Sequence, residues 1–125
     1  MKKGALIFWI AVGLLIVGGI GAAIFVKPGG SDLVPFAQCL KEKGAIFYGA
    51  YWCPHCQRQK AMFGSAEQAL PYVECSTPDG KAQLQVCIDK KIKNYPTWDF
   101  ADGSRLTGER ALSELAEKTG CTLPQ

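Results

Sequence analysis

Two cysteines separated by two residues stand in the segment YWCPHCQ, residues 51–57, a spacing that suits reversible thiol–disulfide chemistry. The apolar run at residues 45–48 predicts a buried strand before them, and the residues after them favour a helix. Pro54 suits the first position of that helix, because a proline there gives up no helical hydrogen bond. Cys53 then falls at the N-cap, where free N–H groups and the helix dipole favour thiolate over thiol. We therefore expect Cys53 to be the exposed nucleophile and Cys56, one turn inside, to be the shielded resolving cysteine.

The other readings of this motif concern zinc and a structural disulfide. A C-x-x-C pair is often half of a zinc site, which needs four ligands. The second half would have to be Cys75 and Cys87, whose spacing is not that of a zinc knuckle. A structural disulfide closing so short a loop would gain little entropy. Redox chemistry is preferred, with His55, the only histidine, as a cation or donor beside Cys53, and no metal is predicted.

Length, charge and cysteine content limit the class of protein. The chain has 125 residues, enough for one small domain. Its net charge of +3 includes Lys2 and Lys3, so the remainder carries about +1, which gives no sign of nucleic-acid binding. Six cysteines are many for a cytosolic protein of this size, so an oxidising compartment is favoured.

The N-terminal residues 1–27 predict a membrane anchor. Residues 5–26 carry no charged side chain, and 22 residues of helix span about 33 Å, enough for a bilayer core of roughly 30 Å. The preceding lysines predict a cytoplasmic N-terminus, with the rest of the chain periplasmic, lumenal or extracellular. The alternative is a signal peptide cleaved near residues 21–23, although the apolar run continues past that point.

After a short linker at residues 28–31, residues 32–125 predict one α/β domain with the element order α-β-α-β-α-β-β-α. Periodicity and flanking cap or turn residues predict helices at residues 32–43, 54–63, 84–92 and 112–119. A further short helix is predicted at 65–70, within the second α of that order. Strands are predicted at 45–48, 72–75 and 97–100, with a last strand that ends at residue 107.

Three details of this prediction depend on particular residues. Ser31 or Asp32 would cap the first helix. Ser65 begins a sequence with capping-box spacing, so it would start the short helix after the cysteine motif. Ile88 shares helical spacing with Cys87, so both should face the core.

The element order, with a C-x-x-C pair where a strand meets a helix, resembles the thioredoxin fold, a central mixed sheet flanked by helices. The segment WCPHC at residues 52–56 is similar to that family's active site, and its C-P-H-C sequence resembles DsbA-type oxidants. The segment YPT at residues 95–97 is similar to the family's cis-proline loop. The resemblance implies catalytic roles for Cys53 and Cys56. It implies supporting roles for five neighbours, Trp52, Pro54, His55, Tyr95 and Pro96.

A closer resemblance is to the thioredoxin-like domain of bacterial and plant vitamin K epoxide reductase homologues, on residues 44–56, 72–76 and 95–98. In that family a four-helix membrane part oxidises this domain and passes electrons to a quinone. One predicted membrane helix leaves no such bundle here, so we expect the domain to stand alone on its anchor. Phe47 is a second departure, since it occupies the place where many thioredoxin-like proteins carry a buried acid.

The function implied is that of a membrane-anchored thiol–disulfide oxidoreductase donating disulfides to protein thiols outside the cytoplasm. We expect no cofactor in this chain, and quinone only indirectly, through a separate membrane oxidase of the vitamin K epoxide reductase or DsbB type. Three alternatives remain: a reductase or isomerase with the opposite electron flow, an anchored adaptor for a membrane oxidase, and a structural zinc domain.

The other four cysteines could form two further disulfides. Cys75 ends a strand and Cys87 lies on the next helix, so the two can approach across the intervening turn. The vitamin K epoxide reductase homologues have a pair in the matching places. Cys39 and Cys121 could pair, or remain free thiols. In the thioredoxin arrangement the first and last helices lie on opposite faces of the sheet, so their pairing would need the tail to wrap round an edge.

Overall fold

The computed structural model describes residues 3–5, 7–14 and 32–125. The chain divides into two units, Met1–Gly30 and Ser31–Gln125. In the first unit, the described residues are helical. Most of the predicted membrane-spanning run, the predicted linker and Ser31 lie outside the described residues. Among the residues described, no helix combines the length and the apolarity needed to cross a bilayer.

The second unit is built on a four-stranded mixed sheet with the strand order β2-β1-β3-β4. In chain order the elements are α1 (Val34–Glu42), β1 (Ile46–Gly49), α2 (Pro54–Ala61), a 3-10 helix (Gly64–Ala69), β2 (Tyr72–Glu74), α3 (Gln85–Asp89), β3 (Thr97–Asp99), β4 (Arg105–Thr107) and α4 (Leu112–Thr119). Strand β1 runs parallel to β2 and antiparallel to β3, and β4 is antiparallel to β3. The mixed α/β sheet predicted from the sequence is confirmed.

Strand β1 is held by hydrophobic packing on both of its faces, because successive side chains of a strand point in opposite directions. Phe47 belongs to the larger core cluster and stacks on Trp98, with ring centroids 4.8 Å apart. Tyr48 belongs to a smaller cluster together with Cys75 and Cys87. This packing fixes the end of β1, from which the chain leads into the cysteine motif.

The predicted helix start at Ser65 is wrong, whereas at the start of α1 the predicted cap residue Asp32 does bond a free N–H. The N-cap of α1 is Leu33, which makes no side-chain cap bond, although the Asp32 carboxylate accepts the Val34 N–H at 2.9 Å. Ser65 does not cap an α-helix, because the segment is a 3-10 helix with Phe63 at its N-cap. Its i→i+3 bonds begin two residues earlier than the capping box predicted, with the Ala66 N–H on the Phe63 carbonyl at 3.0 Å.

The prediction that Ile88 faces the core is wrong. Helix α3 has only five residues, and the chain turns at Lys91, where φ is 56°. The N–H of Ile92 therefore bonds back to the Cys87 carbonyl at 2.9 Å. Cys87 and Ile92 are buried by this reversal, whereas 48% of Ile88 is exposed.

Two disulfides cross-link the second unit, one between a strand end and a helix and one between the first helix and the residues after the last. Cys75–Cys87 links the end of β2 to α3, with a Cα–Cα distance of 5.6 Å. Cys39–Cys121 links α1 to the residue after the αL C-cap Gly120, with a Cα–Cα distance of 5.9 Å. The expectation that the first and last helices lie on opposite faces is wrong. Helices α1 and α4 contact each other on the same core cluster, so no wrapping of the tail is needed.

Candidate active site

Cys53 occupies the N-cap of α2, as Pro54 at the start of that helix predicted. Its backbone is extended, with φ −80° and ψ 117°, and its N–H bonds to the Ala50 carbonyl at 3.0 Å. The Cys53 sulfur accepts the backbone N–H of Cys56 at 3.2 Å. The sulfur therefore takes one of the N–H groups that a helix N-terminus leaves free, an arrangement that stabilises negative charge on it.

Both cysteines of the motif are free thiols, and both are buried. The prediction of an exposed Cys53 is wrong in this structure, since only 4% of the residue is accessible and none of Cys56 is. The chain before the cis Tyr95–Pro96 bond covers the sulfur, because the Tyr95 carbonyl oxygen lies 3.8 Å from it. The sequence-predicted residues at positions 53, 56, 95 and 96 are thus brought together.

Cys56 lies in an apolar position behind Cys53. Burial, and then the hydrogen bond with Cys53, raises the pKa of the Cys56 thiol to about 12, while a backbone hydrogen bond of Ala50 and, more weakly, the Lys60 ammonium act in the opposite sense. Gly49 allows this packing: a Cβ there would stand 3.1 Å from the Cys56 sulfur and 2.9 Å from Cε2 of Tyr72. Because its pKa is about 12, the Cys56 thiol stays protonated at neutral pH. Its sulfur packs against Gly49 at the end of β1.

His55 contacts charged groups outside the motif. Its Nδ1 lies 2.7 Å from Nη2 of Arg58 and 3.1 Å from Oε1 of Glu109. Nδ1 accepts from Arg58 when it carries no hydrogen and donates to Glu109 when it carries one. Desolvation alone would raise the pKa of the Glu109 carboxyl. Hydrogen bonds from Arg58 and His55 outweigh desolvation and hold that pKa below its usual value. Among the hydrogen bonds of the described residues, those of His55 go to this pair rather than to Cys53.

Trp52 and Tyr95 form one wall of the site. Their rings meet edge to face with centroids 6.0 Å apart. The Trp52 indole N–H donates to the Ser76 hydroxyl at 2.9 Å, and the Tyr95 hydroxyl accepts from the Gln83 amide at 2.7 Å. Beside them lies a pocket of about 190 Å³, bounded by the loop of residues 76–83. This wall leaves half of Trp52 exposed next to Cys53.

Gln59 is a buried polar residue that the sequence reasoning missed. Its Oε1 accepts the Arg110 N–H at 2.6 Å and the Trp98 indole N–H at 3.4 Å. Its Nε2 donates to the Arg110 carbonyl at 3.0 Å. Gln59 therefore fastens α2 to the segment after β4. Its position one turn after Cys56, on the buried face of α2, was the available signal.

Two further missed residues are Glu74 and Lys60. Glu74 accepts the Tyr72 hydroxyl at 2.8 Å and the backbone N–H groups of Tyr51 and Ser76 at 3.3 and 2.8 Å. It thereby ties β2 to the cysteine loop. Lys60 lies above the Tyr72 ring, 3.7 Å from its centroid.

The described residues offer no metal site. Within residues 3–5, 7–14 and 32–125, no group of three or more His, Cys, Asp or Glu side chains is placed to hold a metal ion. Cys75 and Cys87, which a zinc site would need as its second pair, are bonded to each other.

Comparison with known proteins agrees with this geometry. Residues 36–119 match the family model described as Thioredoxin. The chain belongs to the thioredoxin family. It is also 46% identical, over 97 residues that make up 74% of the chain, to the thiol-disulfide oxidoreductase LTO1 of Arabidopsis thaliana. The matched part is 25% of LTO1, so the chain spans about a quarter of that relative. Family and relative both support thiol–disulfide exchange as the chemistry of this domain.

Proposed function

We propose that the chain is a membrane-anchored thiol–disulfide oxidoreductase that donates disulfides to protein thiols outside the cytoplasm. The observation that carries this proposal is the place of the Cys53 sulfur. It caps α2, accepts the Cys56 N–H at 3.2 Å and lies 3.8 Å from the Tyr95 carbonyl. A sulfur so placed can serve as the attacked atom in the disulfide and as the leaving group afterwards.

In the proposed reaction a substrate thiolate attacks the Cys53 sulfur of the oxidised pair. The Cys53–Cys56 bond breaks, Cys56 leaves as a thiolate that then takes a proton, and a mixed disulfide forms. A second substrate thiolate attacks the substrate sulfur of that mixed disulfide, and Cys53 leaves as a thiolate. The N-cap interactions make Cys53 a good leaving group, and stabilising the reduced pair makes the couple more oxidising.

Trapping of mixed disulfides tests these roles. A Cys56→Ser variant should accumulate mixed disulfides with other proteins, because the resolving thiol is gone. The matched Cys53→Ser variant should accumulate none. The reverse pattern would exchange the two roles.

We also propose attachment through residues 5–26 and reoxidation by a separate membrane oxidase of the vitamin K epoxide reductase or DsbB type. The uncharged run supports the first, and the resemblance at residues 44–56 supports the second. The chain should stay in the membrane pellet after a carbonate wash and should co-purify with a polytopic oxidase. A soluble product that begins near residue 24 would indicate a cleaved signal peptide instead.

A reductase or isomerase is the second candidate, favoured by one observation. Glu109 lies beside His55 and Arg58 and offsets their positive charge near Cys53, which works against an oxidising couple. The equilibrium of the Cys53/Cys56 pair with glutathione distinguishes the two. A pair more oxidising than glutathione supports the donor role, and a pair more reducing than glutathione supports the reductase.

A further inference from the structure

Formation of a thiolate on Cys56 is required in both directions of the proposed exchange. Cys56 must lose its proton to attack the mixed disulfide, and it leaves as a thiolate when the Cys53–Cys56 bond is broken. Its sulfur is fully buried, which opposes that charge. Phe47, which stacks on Trp98 and stands in register with Tyr72, places an aromatic ring where a carboxylate would help to move the proton.

Lys60 is a cation on the same helix whose charge favours a thiolate on Cys56. It lies four residues after Cys56 on α2, so the two side chains share one face. Only 15% of the Lys60 side chain is exposed, and its ammonium sits 3.7 Å from the centroid of the Tyr72 ring. The edge of that ring and the Cys56 sulfur meet at Gly49, 2.9 and 3.1 Å from where a Cβ would stand.

Neighbouring groups fix the charge state of this arrangement. Burial, and then the hydrogen bond to Glu74, raises the pKa of Tyr72, so its ring stays neutral beneath the ammonium. The Glu74 carboxylate accepts three hydrogen bonds, which spread its negative charge. Glu67 lies 3.8 Å from the Lys60 ammonium and is half exposed, so solvent weakens its influence. The cation therefore remains available to Cys56.

We propose that Lys60 is a positioning residue whose ammonium stabilises the transient Cys56 thiolate during formation and resolution of the mixed disulfide. The proposal rests on the exchange function proposed above. In the resolving step the Cys56 proton passes to solvent and its sulfur attacks the Cys53 sulfur. The bond to the substrate breaks, and the substrate sulfur leaves as a thiolate. Lys60 keeps its proton throughout.

The test is a single turnover of the reduced full-length chain, in detergent, with glutathione disulfide. Cys53 first becomes glutathionylated, and Cys56 then displaces glutathione, so acid quenching and mass spectrometry give both rates. Lys60→Met keeps the aliphatic stem over Tyr72 and removes the charge, and Lys60→Arg restores the charge. Lys118→Met is the matched control, because the Lys118 ammonium also lies over an aromatic ring, 5.6 Å from the Phe100 centroid. It also pairs with a carboxylate, Asp102, at 3.1 Å, and it is far along the chain from the cysteine motif.

Lys60→Met should leave the first step unchanged and slow the second by less than about fourfold. Even a whole unit of Cys56 pKa would cost only about that much, because the stronger nucleophile recovers part of the loss in thiolate fraction. Lys60 is a smaller influence on that pKa than the backbone hydrogen bond of Ala50. Lys60→Arg and Lys118→Met should resolve at the wild-type rate. The equilibrium with glutathione at pH 7 should be the same in all variants, because Cys56 is uncharged in both the dithiol and the disulfide.

Several results would overturn the role of Lys60. Wild-type resolution in Lys60→Met would do so, as would equal slowing in Lys60→Arg or in Lys118→Met. A shifted glutathione equilibrium in Lys60→Met would show that the substitution distorts the pair rather than removing a charge effect. If the wild-type pair exchanges with glutathione in neither direction, neither being oxidised by glutathione disulfide nor oxidising reduced glutathione, the exchange function itself fails.

Discussion

The two disulfides should stabilise the domain by different amounts, because they close loops of very different length. Cys39–Cys121 spans 82 residues and Cys75–Cys87 spans 12. Loop-closure entropy in the unfolded chain gives about 4.5 kcal/mol for the longer loop and about 2.8 kcal/mol for the shorter one at 25 °C. The expected difference is about 1.7 kcal/mol, or roughly 7–14 °C in Tm for a domain of this size.

The assay must separate loop closure from packing, since Cys75 and Cys87 are fully buried and Cys39 is only half-buried. Each variant would therefore keep one pair and carry alanine at the other, with Cys53 and Cys56 also replaced by alanine. The free energy of unfolding is measured by guanidinium titration with the remaining pair oxidised and then reduced. The difference between the two states retains both sulfur atoms and isolates the cross-link.

The ordering is the discriminating result. Equal differences for the two variants, or a larger difference for the 12-residue loop, would show that native-state contacts rather than unfolded-chain entropy determine the stabilisation.

Three other predictions concern the active site. The rate at which Cys56 resolves a mixed disulfide should rise about tenfold per pH unit between about pH 6 and 9. Only the thiolate attacks, and the pKa of Cys56, about 12, lies above that range. Quenched-flow rates that level off between about pH 6 and 9 would contradict this prediction. Glu109→Gln should make the pair more oxidising against glutathione, by less than about tenfold because exposed ion pairs contribute little, whereas Glu114→Gln should not. Gly49→Ala should destabilise the domain by about 1–3 kcal/mol in guanidinium titrations, since the added Cβ presses on the Cys56 sulfur and the Tyr72 ring, and unchanged stability would mean that both move aside freely.

Features set by neighbouring residues were predictable from the sequence. Pro54 marked the start of α2 and thereby the N-cap role of Cys53. Gly103 predicts the hairpin turn between β3 and β4, and Gly120 predicts the end of α4. Their φ values are 81° and 74°, a region of backbone conformation that suits glycine. These signals act within one turn of the chain, although the equally local capping-box spacing at Ser65 did not start an α-helix.

Contacts between residues far apart in sequence were not predictable from periodicity or turn signals; only the resemblance to the thioredoxin family placed Tyr95 and Pro96 near Cys53. The Tyr95 carbonyl that covers Cys53 is 42 residues away, and the Glu109 partner of His55 is 54 residues away. The prediction that Ile88 is buried was wrong for a related reason. The exposure of Ile88 depends on where α3 ends, and the turn at Lys91 determines that end. No periodicity within a short window carries this information.

The length of the Cys39–Cys121 loop also has a consequence for biosynthesis. At roughly 5–20 residues per second, Cys39 waits about 4–16 s for Cys121 to be synthesised, and the cysteines of the catalytic motif emerge in the interval. Cys75 and Cys87 can pair while the last strands and helix are still being made. A newly made chain is therefore exposed to pairing between Cys39 and its own catalytic motif. Such a wrong pair is corrected only by attack of a thiolate, from another cysteine of the same chain or from a separate thiol, before the first turnover.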